Sequence, residues 1–142
     1  MHLEPQLANK PLDLSSFPDK LTIVSDSGIT KLPLQLYTAN TPVARMTGFR
    51  WQKRIPPQGT GIWLKDSKSS YSLWMKDVPF DLDAIGFDGD MNVVDLKRLT
   101  ALSTVPVAFS SDVKSVVEVP AGWCLRNGIR KGFRAIPGDG AQ

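Results

Sequence analysis

Apolar and polar positions alternate in short blocks along this chain, and the blocks predict strands far more often than helices. Leu21-Thr22-Ile23-Val24 is rich in β-branched residues and stops at Ser25-Asp26-Ser27-Gly28, a turn sequence. Leu32 to Ala39 alternates loosely and reads as a second strand. Thr41-Pro42 opens a short helix, since threonine can cap free backbone N–H groups and proline suits the first helical position. Val43, Ala44, Arg45 and Met46 continue it to a stop near Gly48. Ile55-Pro56-Pro57-Gln58-Gly59 is a loop. Gly61-Ile62-Trp63-Leu64 is a strand, followed by a polar turn from Lys65 to Ser70.

From Tyr71 to Lys76 the period is two, which places Tyr71, Leu73 and Met75 on one face and Ser72, Trp74 and Lys76 on the other. Leu82–Phe87 and Asn92–Leu96 flank Asp88-Gly89-Asp90-Met91 and predict a hairpin. A loop over residues 100–112 precedes a strand from Val113 to Val119. In that strand Lys114, Val116 and Glu118 oppose Val113, Ser115, Val117 and Val119. Ala121 to Asn127 is a short helix closed by Gly128, and Gly132 to Ile136 is a last strand.

These elements predict an α+β fold, β-dominated, with two short helices and a mainly antiparallel sheet that is curled or partly closed like a barrel. Most connections are too short for parallel crossovers, and curling hides sheet edges. The expected organisation is an extended arm over residues 1–20, one globular domain over 21–137 and a tail over 138–142. A chain of 142 residues suffices for one real core. No apolar run approaches a membrane span and no secretory leader is legible, so a soluble protein, either cytoplasmic or already processed, is expected.

Cysteine and histidine usage narrows the chemistry. Cys124 is the single cysteine, expected as a buried small hydrophobe, and cannot form an internal disulfide. His2 is the single histidine and is expected in a mobile tail. Triads, Cys–His pairs and His/Cys zinc sites need such groups on a rigid scaffold. An enzyme here would therefore run on carboxylates, lysine, arginine or tyrosine. No cofactor or metal is expected.

Net charge is +3, distributed as +4 over residues 1–70, −4 over 71–112 and +3 over 113–142. The acidic middle and basic flanks are read as neighbouring surface, with only a modest pull on nucleic acid or anionic membrane. Arg45, Arg50, Lys53 and Arg54 interleave with Phe49 and Trp51, while Arg126, Arg130, Lys131 and Arg134 surround Phe133. Basic–aromatic mixtures can track phosphates and stack bases. Lys131-Gly132-Phe133 nevertheless departs at once from an RNA-recognition strand, and Phe49 and Trp51 are read as core anchors. Nucleic acid is not the expected partner.

Asp88, Asp90, Asn92 and Asp95 resemble a calcium loop in spacing. Val93 stands where the loop needs glycine and Leu99 where it needs glutamate, so the segment is read as a solvated hairpin tip. Trp74, Lys76, Asp81, Asp83 and Arg45 form the candidate binding set. Asp83 shares a face with Ile85 and Phe87, so it needs a partner, expected as Lys76 or Arg45 across the Pro79 bend. Trp74 and Lys76 would serve as a stacking wall and an anion contact.

Trp74-Met75-Lys76, a proline-containing link and Leu82-Asp83 leading into an apolar strand resemble the uncharacterised bacterial, archaeal and viral family called domain of unknown function 192. Arg45 with Gly48, then Gly61-Ile62-Trp63-Leu64, and Val117-Glu118-Val119-Pro120-Ala121-Gly122 with Gly128 and Gly132, follow in the family's order. The resemblance covers about Leu21 to Ile136. Gly48-Phe49-Arg50-Trp51 stands where members usually read Gly-Leu-Met-Phe-Arg, and Gly132-Phe133-Arg134-Ala135 where they often read Gly-Asp-Arg-Val. A common proline–cysteine pair before the late strand is missing, with Ser103-Thr104 nearby. The resemblance implies a compact β-rich domain and brings no established activity.

The expected function is a non-enzymatic binding or assembly module. Its contact surfaces would be the Trp74–Lys76 face and the sheet edges, its partner a protein or a second copy, with a small ligand as a lesser alternative. The family's viral members extend the expectation to a virion component. The opposing expectation is a small hydrolase-like enzyme built on Asp81, Asp83 and Lys76. The two differ in geometry: the enzyme needs those three groups converging in a cleft, the module an interface above about 1,000 Å².

Overall fold

The computed structural model describes residues 1–2 and 9–138. Most of the expected tail, and residues 3–8 of the expected arm, lie outside the described residues. Strands β1 (Asp19–Val24), β2 (Lys31–Ala39) and β3 (Thr60–Lys65) follow the apolar blocks of the sequence. Between β2 and β3 lies α1 (Pro42–Thr47). Thr41 caps this helix as its residue type predicts, its Oγ1 accepting the Ala44 N–H at 3.2 Å. Gly48 ends it at φ 48° and ψ −129°. The crossover through α1 makes β2 and β3 the parallel pair of an otherwise antiparallel sheet.

Later elements are β4 (Ser72–Leu73), β5 (Leu82–Phe87), β6 (Val93–Leu99), β7 (Val107–Ala108), β8 (Ser115–Pro120), α2 (Trp123–Arg126) and β9 (Arg134–Pro137). Seven of the strands form one sheet in the order β6-β5-β8-β3-β2-β1-β9, and β4 pairs with β7 in a second, small sheet. The large sheet curls until its edges touch. Asn92 and Arg134 form an antiparallel bridge, Val93 N–H donates to Phe133 C=O at 2.8 Å, and Ala135 N–H donates to Met91 C=O at 2.8 Å. This is the curled, β-dominated architecture with two short helices that the sequence predicts.

Alternation along the strands sorts the core into two clusters. Leu21, Ile23, Leu34, Leu36, Ile85, Phe87, Val117 and Val119 fill the concave side, which Trp123 of α2 helps to close. Ile62, Leu64, Leu82, Ala84 and Val116 point the other way, against Phe49, Tyr71, Leu73, Met75 and Phe80. Strand β8 is therefore covered on both faces, and all six of its residues are buried. That double cover places Glu118 in the interior.

Two expected elements change. The strand read over Tyr71–Lys76 is only Ser72–Leu73, because a turn at Lys76-Asp77 follows with Asp77 at φ 64°. The predicted faces survive this shortening, with Tyr71, Leu73 and Met75 buried and Lys76 exposed. The loop read over 100–112 contains β7, whose two-residue ladder pairs Ser72 with Ala108 and Leu73 with Val107.

Candidate functional site

The convex cluster contains a slot into which residues 1 and 2 are threaded. Its walls are the carboxyl end of α1, the β4 edge with Trp74, and the middle of β8. Main-chain bonds set the path of the segment. Trp74 N–H donates to Met1 C=O at 2.9 Å, and His2 N–H donates to Arg45 C=O at 3.0 Å. His2 and Leu73 form an antiparallel bridge, so the segment adds a strand-like layer to β4. Gly48 has no side chain to block the path. A Cβ there would overlap the Met1 Sδ. The neighbouring Phe49 N–H donates to that sulfur at 3.2 Å.

At the closed end, the Met1 amino group donates to Trp74 C=O at 2.7 Å and lies 3.5 Å from Glu118 Oε2. Both members of this ion pair have fully buried side chains. Removal from water is the largest influence on each: it pushes the Glu118 carboxyl up and the amino group down, while their mutual attraction opposes both shifts. Among the described residues Glu118 Oε1 has no hydrogen-bond partner, nor do the buried Trp74 Nε1 and Arg50 Nε. A carboxylate with one oxygen against an amine and the other unpartnered is an acceptor-rich end wall.

His2 is fully buried, which corrects the expectation of a mobile tail. Its ring lies 4.6 Å from that of Tyr71, with Nε2 2.9 Å from Ser67 Oγ and Nδ1 3.3 Å from the Ser72 N–H that donates to it. The exclusion of histidine chemistry, argued from tail mobility, loses its premise for this residue.

Beside the slot, Arg50 is held between aromatic faces, its guanidinium carbon 4.4 Å from the Trp51 ring centroid and 6.0 Å from that of Trp74. Its Nη2 donates to Asp77 Oδ2 at 2.9 Å. Trp51, Gln52, Lys53, Asp77 and Pro79 border an open concavity of about 410 Å³.

The five candidate residues go to different places. Trp74 brackets Met1 with its backbone N–H and C=O, and Lys76 Nζ stands 5.6 Å from its ring. Arg45 is buried, donates from Nη1 to Lys65 C=O at 2.9 Å and offers its own carbonyl to His2. Asp81 accepts the Ala101 N–H at 2.8 Å and borders a separate cavity of about 420 Å³ with Ile55, Gln58 and Pro79.

Asp83 pairs with neither Lys76 nor Arg45. Its Oδ1 accepts from Arg98 Nε at 2.9 Å, and its Oδ2 accepts the N–H groups of Gly122 and Cys124 at 2.9 and 3.1 Å. Cross-strand register explains the choice, because Asp83 lies directly opposite Arg98 in the β5–β6 ladder. The neighbouring Cys124 thiol is half-buried, and burial together with the Asp83 charge pushes it up to about 12. A thiol raised in this way stays protonated near neutral pH.

Glu118 was read only as an opposed face of its strand, and His2 as tail. The signal for Glu118 was visible: a lone carboxylate inside Val116-Val117-Glu118-Val119 requires a buried partner if the strand is central. At the hairpin tip, Asp88 directs its carboxylate to the N–H groups of Asp90 and Asn92, which also pull it below its usual range. This is the turn-forming role read for the segment.

The family model described as Uncharacterized ACR, COG1430 (DUF192) matches residues 22–136. The chain belongs to the DUF192 family. Three of the segments that carried the resemblance (Arg45 to Gly48, Trp74 to Lys76, and Val117 to Gly122) each contribute to the slot. Among solved structures, a Sinorhizobium meliloti protein described as a "putative transcription regulator" is similar at 21% identity, with TM-score 0.77, covering 84% of this chain and 92% of that one. A Novosphingobium aromaticivorans protein of unknown function is similar at 18% identity and TM-score 0.77, covering 92% of this chain and 93% of that one. At these identities the likeness is one of fold. No curated protein matches the DUF192 chain. Among the described residues no helix is long and apolar enough to cross a membrane.

Proposed function

We propose that this DUF192 protein is a non-enzymatic binding module that holds an extended polypeptide segment by strand addition along Ser72–Trp74. The observation that carries the reading is the main-chain bracket on Met1–His2: two hydrogen bonds to Trp74, one to Arg45 and a bridge to Leu73. Backbone pairing of this kind supplies affinity for any extended chain, while side-chain recesses supply selection. The hydrolase alternative lacks support from the geometry. Asp81 and Asp83 border different cavities, and the Asp83 carboxylate is engaged by Arg98 and two backbone donors.

The test is an isotope-resolved titration of His2→Gly protein with a synthetic Met-His-Leu-Glu amide. The substitution weakens the resident segment, which otherwise competes at high effective concentration. Amide shifts centred on Phe49, Leu73 and Trp74 are the expected result. Shifts confined to the Asp81 or Asp83 cavities, or none at all, would sink the reading.

A further inference from the structure

The segment after α1 carries a basic–aromatic cluster, Arg50, Trp51, Lys53 and Arg54, whose side chains the strand-addition reading does not use. Nucleic acid was set aside on the expectation that Phe49 and Trp51 anchor the core. Phe49 does so, but Trp51 is only half-buried, and among the described residues it belongs to neither core cluster. Its backbone is left-handed at φ 65°, and Asp77 opposite is left-handed at φ 64°. Trp51 N–H donates to Asp77 C=O at 2.9 Å and ties the two together. Bulky residues rarely hold this conformation, and a fold that keeps one there has placed the side chain at the expense of backbone strain.

We propose that the concavity bordered by Trp51, Gln52, Lys53, Asp77 and Pro79 binds single-stranded nucleic acid, with Trp51 stacking one base and Lys53 meeting a phosphate. The site uses none of the main-chain groups of the slot, so it stands or falls apart from strand addition. Arg50 backs the indole at 4.4 Å but does not border the concavity, which leaves the ring between the guanidinium and open space. The same guanidinium donates to Asp77 Oδ2 at 2.9 Å and compensates the carboxylate at the rim. Lys53 and Arg54 on one segment and Lys76 on the other are exposed, so the rim presents net positive charge to a phosphate backbone. A volume of about 410 Å³ suits one nucleotide, and because the concavity is open, its neighbours in a strand can leave over the basic rim. A duplex keeps its base faces within the stack, which restricts the ligand to a single strand.

The experiment titrates the full chain at low salt with a fluorescein-labelled oligothymidylate of about twelve nucleotides and with an abasic strand of the same length, read by anisotropy. One aromatic stack should make the base-bearing strand bind about tenfold tighter or better than the abasic one. Trp51→Gly should erase that difference and leave the abasic strand's affinity unchanged. It should also unfold no earlier than the parent on heating, because glycine holds φ 65° without strain. Lys53→Ala should weaken both strands alike and lower the salt dependence by about one phosphate contact. Equal binding of the two strands by the parent, or binding of neither, would overturn the site, as would a base preference that survives in Trp51→Gly. Displacement of the strand by an equal concentration of thymidine monophosphate would overturn a strand as the occupant. Trp51→Leu, which keeps apolar bulk without a ring, decides the same comparison where Trp51→Gly does not fold.

Discussion

Two buried carboxylates, Asp83 and Glu118, are satisfied in opposite ways, and their substitutions should behave differently. Asp83 has three donors, including two backbone N–H groups at the start of α2. Asp83→Ala strands those donors and should cost roughly 2 kcal/mol in urea unfolding, with Asp83→Asn losing less because one acceptor remains. Arg98 contributes the smaller share, since its side chain is half-exposed and solvent screens the pair. A neutral Asp83→Ala would mean that α2 does not depend on this cap.

Glu118 makes a prediction in pH instead. Its carboxyl is raised above the ordinary 4.5, so the folded state binds more protons than the unfolded state once pH exceeds that value. Stability therefore falls as pH rises from about 4.5 through the raised value. The amino group is lowered from 8.0, which acts in the reverse sense: the unfolded state binds more protons just below 8.0, and stability climbs towards it. Urea unfolding across this range should show the descending limb in the parent protein and lose it in Glu118→Gln. The same descending limb in both proteins would refute a buried, proton-binding Glu118. Lys76→Met, by contrast, should change stability by less than about 0.5 kcal/mol, because Lys76 is exposed and its amine stands 5.6 Å from the Trp74 ring centroid.

At the scale of elements, the slot depends on α1, which carries Arg45 and delivers Gly48 and Phe49 to their places. Thr41→Ala removes the bond to Ala44 N–H and should cost about 1 kcal/mol, measured by the shift in urea midpoint at constant slope. This helix was legible residue by residue, because its cap, its first-turn proline and its terminal glycine all act locally. Strand β5 was legible for a similar reason, its apolar run being bounded by Asp81 and the Asp88–Met91 turn. Elements that exist only through distant pairing were not. Strand β7 is two residues held by Leu73 and Ser72, and nothing in Val107-Ala108 marks it. The partner of Asp83 was missed because the register of β5 against β6 depends on where the hairpin bulges at Gly86–Phe87. His2 was missed because a terminus is normally frayed unless a slot holds it, and the slot is assembled from α1, β4 and β8.

For the whole molecule, the management of strand edges decides how copies of the chain behave towards one another. The large sheet closes β6 onto β9 through the Asn92–Arg134 bridge and the Val93 and Ala135 hydrogen bonds. In the small sheet, Leu73 is covered by His2. Open edges are what invite edge-to-edge pairing, so these closures argue against association by strand addition between intact copies. Light scattering should give one mass near 15.6 kDa, unchanged as concentration rises. His2→Gly uncovers β4 and should introduce a concentration-dependent dimer, because Trp74 again presents the unpaired N–H and C=O that Met1 otherwise holds. A dimer already present in the parent and dissolved by Glu118→Gln would assign the slot to a second copy of the chain. A dimer indifferent to both substitutions would show that association uses another surface, and the closed-edge account would fail.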